Sequence, residues 1–210
     1  MEDAYVAIDA MPLPSDWVDC WERASFYAVY DGHGGAEASD FCRQHVHKHL
    51  LRHLAEARAS AAAGQSAGPA TGPASVVELA VALRAAFNSV DEAFLNGTTH
   101  NSGSTAVAAL VTETHVLVAN TGDSRGYLQR GGQVLRMSLD HKPDRVDEEA
   151  RITRAGGWVS HGRVLHTLAV SRAIGDRDFK LLSYADGRCA PPLPGRVPHI
   201  FRARARRTTC

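Results

Sequence analysis

An α+β fold is expected from three features of the chain. Two long helical stretches stand together before residue 100, short β-branched runs cluster after Gly103, and the two periodicities are grouped rather than regularly interleaved. The apolar run "FYAVY", Phe26 to Tyr30, has the composition of a buried strand and ends in "DGHGG". In "AEASDFCRQHVHKHLLRHLAEARA", Val46, Leu50 and Leu54 recur every fourth residue with Leu51 beside them, which predicts an amphipathic helix. Residues 58–75 then turn to small residues, Gly and Pro, and read as a flexible loop inserted within the domain. The stretch "VVELAVALRAAFNSVDEAFLNG" predicts a second helix, with Leu79, Leu83, Phe87, Val90 and Phe94 on its core stripe and Gly97 as its stop.

After Gly103 the period changes. "STAVAALV", "HVLVANT", "RGYLQR" and "QVLRMS", separated by "TET", "GDS" and "GG", predict an antiparallel meander. "VDEEARITRAGG" returns to helix, acids first and glycines last. "WVSHGRVLHTLAV" predicts a hairpin turning at His161-Gly162.

A length of 210 residues suits one substantial domain with its own core. Formal net charge is zero, so no overall field recruits nucleic acid or a membrane surface, and neither partner is expected. No apolar run reaches the length of a membrane span. "MEDAYVAIDA" lacks a basic region followed by an apolar one. Cys20, Cys42, Cys189 and Cys210 show neither metal-type pairing nor a dense disulfide pattern. A monomer in the cytoplasm or nucleus is therefore expected.

The acids carry the chemistry. Glu2 and Asp3 in "MED", Asp31 in "DGHGG" and Asp123 in "NTGDSRG" fall at element ends, the latter two beside glycine. Hard cations such as Mg²⁺ and Mn²⁺ take oxygen ligands and keep several waters, so a few carboxylates and a carbonyl suffice. Two such ions about 4 Å apart can acidify a shared water. His33 then stands where it can protonate a leaving oxygen. There is no Walker-type Gly-Lys-Ser/Thr loop and no Cys-Arg arrangement of a thiolate phosphatase.

The motifs "MED", "FYAVYDGHGG", "SGSTA", "VANTGDSRGYL", "RITRAGGWV" and "LAVSRAIGD" occur in order, and together the stretch from Met1 to about Lys180 resembles the metal-dependent protein serine/threonine phosphatases of type 2C. The resemblance implies a four-layer α/β/β/α sandwich of two antiparallel sheets flanked by helices. It also implies hydrolysis of phosphoserine and phosphothreonine in phosphorylated proteins by a water bridging two Mg²⁺ or Mn²⁺ ions, with a weaker third ion. Asp31 matches the bridging carboxylate, the Gly32 carbonyl and Glu2 match ligands of one ion, and Asp3 matches a supporting acid. His33 matches the general acid, Asp123 a ligand of the third metal, and Thr105 a hydroxyl beside the site.

The chain departs from that pattern too. The family's phosphate-binding Arg precedes "MED", and its Asp-Gly-x-Trp-Asp motif and Asp-Asn pair have no counterpart here. His166 stands where the family usually has Gly. Residues 181–210, rich in Pro and Arg, read as a disordered tail outside the family pattern, which leaves 1–180 as a partial domain of low expected activity. Three other readings remain. A scaffold could bind phosphoproteins without turnover; Gly122-Asp-Ser-Arg-Gly126 fits the G-x-S-x-G elbow of a serine hydrolase using Ser124; and His45, His49 and His53, four residues apart, could bind zinc.

Overall fold

The computed structural model describes residues 1–18, 21, 23–64, 76–180 and 198–204. The first half of the chain contributes β1 (Ala4–Ile8), α1 (Ser15–Val18), β2 (Ala24–Tyr30), β3 (Gly32–His33), α2 (Glu37–Gly64) and α3 (Val76–Gly97). A run of strands follows: β4 (Gly103–Ser104), β5 (Ala106–Thr112), β6 (His115–Thr121), β7 (Tyr127–Arg130) and β8 (Gln133–Arg136). Last come α4 (Val146–Arg154), β9 (Val159–Ser160), β10 (Arg163–Val164), β11 (Ile174–Gly175), α5 (Arg177–Lys180) and β12 (His199–Arg204).

The main sheet is antiparallel throughout, in the order β1-β2-β5-β6-β12. Alternation along β2 and β5 places Phe26, Ala28, Tyr30, Ala106, Ala108 and Leu110 on one buried face. Against it lie Val46, Leu50 and Leu54 of α2 and Leu79, Leu83, Phe87 and Val90 of α3, all buried in one apolar core. The two helices thus cover the sheet because each carries a stripe that must leave water. Trp17 closes the far end of α2, its Nε1–H donating to the Leu54 carbonyl at 2.9 Å.

The α+β class holds, and the remaining described strands pair in three small sheets. The three-stranded sheet β11-β4-β3 prolongs the β2–β5 pair past Asp31 and Thr105, and two hairpins, β7–β8 and β9–β10, pair separately. The β9–β10 hairpin turns at His161 and Gly162, both at positive φ (51° and 71°), as a two-residue turn of this hand requires. On the uncovered face of the main sheet, Tyr5, Tyr27 and Val29 remain exposed.

Two boundaries differ from the sequence reading. The inserted loop does not begin at residue 58: α2 continues to Gly64, because "RASAAAG" is rich in alanine, the best helix former, and residues 65–75 lie outside the described part. His199–Arg204, read as disordered tail, forms β12 against β6, from His199↔Asn120 to Arg204↔His115. The reason is non-local. Asn120 and the last residues of β6 are buried on both faces, and a strand so enclosed needs hydrogen-bonding neighbours on both sides. The rest of the tail, 181–197 and 205–210, lies outside the described residues.

Candidate active site

Sheet register builds the site. β1 pairs with β2 from Ile8↔Phe26 to Ala4↔Tyr30, so one more step along both chains sets Asp3 beside Asp31 and the next sets Glu2 beside Gly32. On the other side, β3–β4 continues the β2–β5 ladder in the same register, Gly32↔Ser104, and the Thr105 N–H donates to the Asp31 carbonyl at 2.9 Å. Asp31 is therefore the point where β2 leaves the core with its backbone still held on one side. Gly32 cannot be replaced without movement, because a Cβ there would strike the Glu2 carbonyl oxygen, which also accepts from the Ser39 hydroxyl.

The charges at this spot repel. Burial first, then Asp3 and Asp123, raise the Asp31 carboxyl above its ordinary range, and a hydrogen bond with Asp3 adds to the shift. Carboxylates gathered this way, beside a glycine carbonyl, are a donor set for a hard divalent cation, which would relieve the repulsion. Among the described residues, however, no group of three or more His, Cys, Asp or Glu side chains closes to metal-binding spacing. His33 stands at the same end. Its burial opposes a positive charge, but the bond to Asp176 and the charges of Asp176, Asp31 and Glu2 outweigh it and raise the imidazole.

Asp123 sits in the turn after β6. Its Oδ2 accepts from Lys142 Nζ at 2.5 Å, so an ammonium already neutralises the acid matched to a third cation. The turn is anchored by His141, whose Nδ1 accepts the Gly122 N–H at 3.0 Å. Burial first, then the Arg172 guanidinium, pushes His141 down to about 3. A folded-state pKa depressed this far contributes stability that is complete above the ordinary histidine range, about 6.5, and drains away as pH falls below it. Glu148 acts in the same sense at lower pH: burial opposes its charge, but hydrogen bonds from Arg172 and Arg151 hold its carboxyl well below the usual range. The thermal midpoint should therefore drop between pH 7 and 5, and His141→Gln should flatten that slope; equal slopes in the two proteins would contradict the assignment.

Thr105 Oγ1 lies 2.6 Å from Ser124 Oγ, so the two hydroxyls share one hydrogen bond beside Asp31 and Asp123. Ser124 is followed by a strand, β7, where a nucleophile elbow opens into a helix. The zinc reading of α2 does not survive either. His45 Nδ1–H donates to the Phe41 carbonyl at 2.9 Å, and the ring stacks on that of Phe41. His49 and His53 both bond Ser89 Oγ, at 2.8 and 3.0 Å, and the described residues hold no metal-type cluster there.

Sequence reasoning missed two partners. Lys142 gave no signal beyond its charge, and Asp176 lay unassigned inside the quoted "LAVSRAIGD". Asp176 Oδ1 is 2.8 Å from His33 Nε2.

The family model described as Protein phosphatase 2C matches residues 1–194. Among curated relatives, Protein phosphatase 2C 56 of Arabidopsis thaliana is 41% identical over 165 residues, covering 77% of this chain and 36% of that protein. Protein phosphatase 1B of Rattus norvegicus is 39% identical over 186 residues, covering 86% of this chain and 44% of that protein. The chain thus spans less than half the length of these relatives. The solved serine-threonine phosphatase 2C from Toxoplasma gondii superposes with a TM-score of 0.67 at 20% identity, over 97% of this chain and 73% of that one, a likeness of fold.

Proposed function

Because the chain belongs to the protein phosphatase 2C family, we propose that it hydrolyses phosphoserine and phosphothreonine in protein substrates where the main sheet ends at Asp31. The observation that carries this reading is the crowding of Asp31 against Asp3 and Asp123, a repulsion kept at an element end where a cation can reach it. Asp31, the Gly32 carbonyl and Glu2 would hold Mg²⁺ or Mn²⁺, and Asp123 a weaker ion in competition with Lys142. Bound divalent ions supply charge neutralisation and bring the pKa of a coordinated water toward neutrality. His33 gives a proton to the departing serine or threonine oxygen. The Thr105 hydroxyl, hydrogen-bonded to that of Ser124, stands next to this strand end, where the Thr105 N–H holds the Asp31 carbonyl.

Turnover is proposed to be slow, since few acids among the described residues approach ligand spacing. The same observation favours the second reading, a phosphoprotein-binding scaffold. Purified chain with a phosphothreonine peptide and millimolar Mn²⁺ should release phosphate slowly. Chelation should stop release, and a fluorophosphonate directed at Ser124 should leave it unchanged. Binding of the peptide with no release at any Mn²⁺ concentration would select the scaffold; release that persists under chelation would exclude both.

A further inference from the structure

Asp176 is 4% exposed, and a carboxylate removed from water must find compensation. Its Oδ1 meets His33 Nε2 at 2.8 Å, while Oδ2 has no hydrogen-bond partner among the described residues, so of these the imidazole is the side chain that answers the buried charge. The surroundings are arranged for that contact. A Cβ at Gly103 would collide with both Asp176 Oδ1 and His33 Nε2, so glycine at this point of β4 is the space the pair occupies. Asp176 holds a left-handed backbone, φ 52°, a conformation that Asp and Asn adopt more readily than other side chains. Its N–H donates to the Ser102 carbonyl at 3.1 Å, and the Gly175 N–H before it donates to Asp91 Oδ1 at 2.8 Å. Asp91 in turn accepts from Lys180 Nζ at 2.7 Å, so α3, β4, β11 and α5 together fix one carboxylate against one ring nitrogen.

We infer that Asp176 is the positioning residue of His33: it accepts the Nε2–H, fixes the ring's tautomer and orientation, and leaves Nδ1 as the nitrogen that meets the leaving oxygen. The inference rests on the proposed role of His33 as proton donor. In that step water adds through its oxygen to phosphorus while the P–O bond to the serine or threonine oxygen breaks. The bonding pair stays on that oxygen, which takes the proton from His33 Nδ1. The attacking water's proton passes to solvent, which later restores His33, and Nε2–H stays bonded to Asp176 throughout.

Two variants separate positioning from a plain turn role. Asp176→Gly keeps the left-handed backbone and loses the acceptor; Asp176→Asn keeps both the backbone and an acceptor oxygen. Long-range ¹H–¹⁵N spectra of the metal-free chain, at a pH where His33 is neutral, should show the Nε2–H tautomer in the wild type and in Asp176→Asn. Asp176→Gly should show a mixture. With Mn²⁺, Asp176→Gly should lower kcat on a phosphothreonine peptide roughly tenfold, with KM and turnover of p-nitrophenyl phosphate changed by less than about twofold, because a nitrophenolate leaves without a proton. Asp176→Asn should recover most of the loss. A wild-type His33 protonated at Nδ1, or an Asp176→Gly protein with unchanged tautomer, overturns the inference, and the first can be read even if that variant does not fold. Should His33→Ala slow both substrates equally, the proton-donor reading fails, while the spectra still decide whether Asp176 holds the ring.

Discussion

Asp31→Asn should abolish Mn²⁺-dependent phosphate release while leaving the protein at least as stable as the wild type. The two halves of this expectation come from one arrangement. Asp31 is held near Asp3 and Asp123, and burial plus those two charges raise its carboxyl. Removing its charge relieves the crowding, so the thermal midpoint should hold or rise, as when a functional site stores unfavourable contacts. The same change removes the acid proposed as the bridging ligand, and Mn²⁺ affinity should fall on the order of 100-fold or more, at least as much as losing a supporting residue of a metal site. Calorimetry and phosphate release measured on one preparation check both halves. A variant that loses activity by unfolding would show Asp31 to be structural.

Asp91→Ala should produce the largest loss of stability. Asp91 is 1% exposed on α3, and its Oδ1 takes both the Gly175 N–H at 2.8 Å and Lys180 Nζ at 2.7 Å. Among the described residues, Lys180, 5% exposed, keeps the Ala173 carbonyl as its hydrogen-bond acceptor once Asp91 is gone. Stranding one member of a buried pair costs about 3–5 kcal/mol, which in a chain of this size lowers the melting temperature by roughly 6–20 °C. Asp91→Ala combined with Lys180→Met should recover much of that, since no buried cation then remains uncompensated. A single-variant loss below about 1 kcal/mol would mean that the pair is solvated, against its burial. Because Gly175 and Asp176 hang from this pair, the variant should also disturb His33.

Much of this was readable from the sequence because it is local. The stripes Val46/Leu50/Leu54 and Leu79/Leu83/Phe87 predicted α2 and α3, and "DGHGG" predicted that the chain leaves a strand with Asp31 and His33 together. Other features needed the fold. The end of α2 was set too early because Gly and Pro farther on drew the loop back over an alanine run that prefers helix. β12 was missed because "HIFRAR" pairs with β6 from the far side of a Pro-rich stretch, and what makes it a strand is the vacant edge it fills. Asp176 lies 143 residues from His33, and no spacing rule reaches across that distance. Lys142 and Asp123 meet only because His141 draws the segment before α4 back onto the Gly122 turn.

The central claim is that Asp31 gathers neighbouring acids around divalent ions, and electron paramagnetic resonance of Mn²⁺ tests it most directly. Titrating the wild-type chain should convert the free-ion signal to a bound one that saturates, that Mg²⁺ displaces, and that Asp31→Asn eliminates. If wild type and Asp31→Asn take up the same amount of Mn²⁺ at the same concentrations, Asp31 is no ligand and the strand end at residue 31 is only a turn.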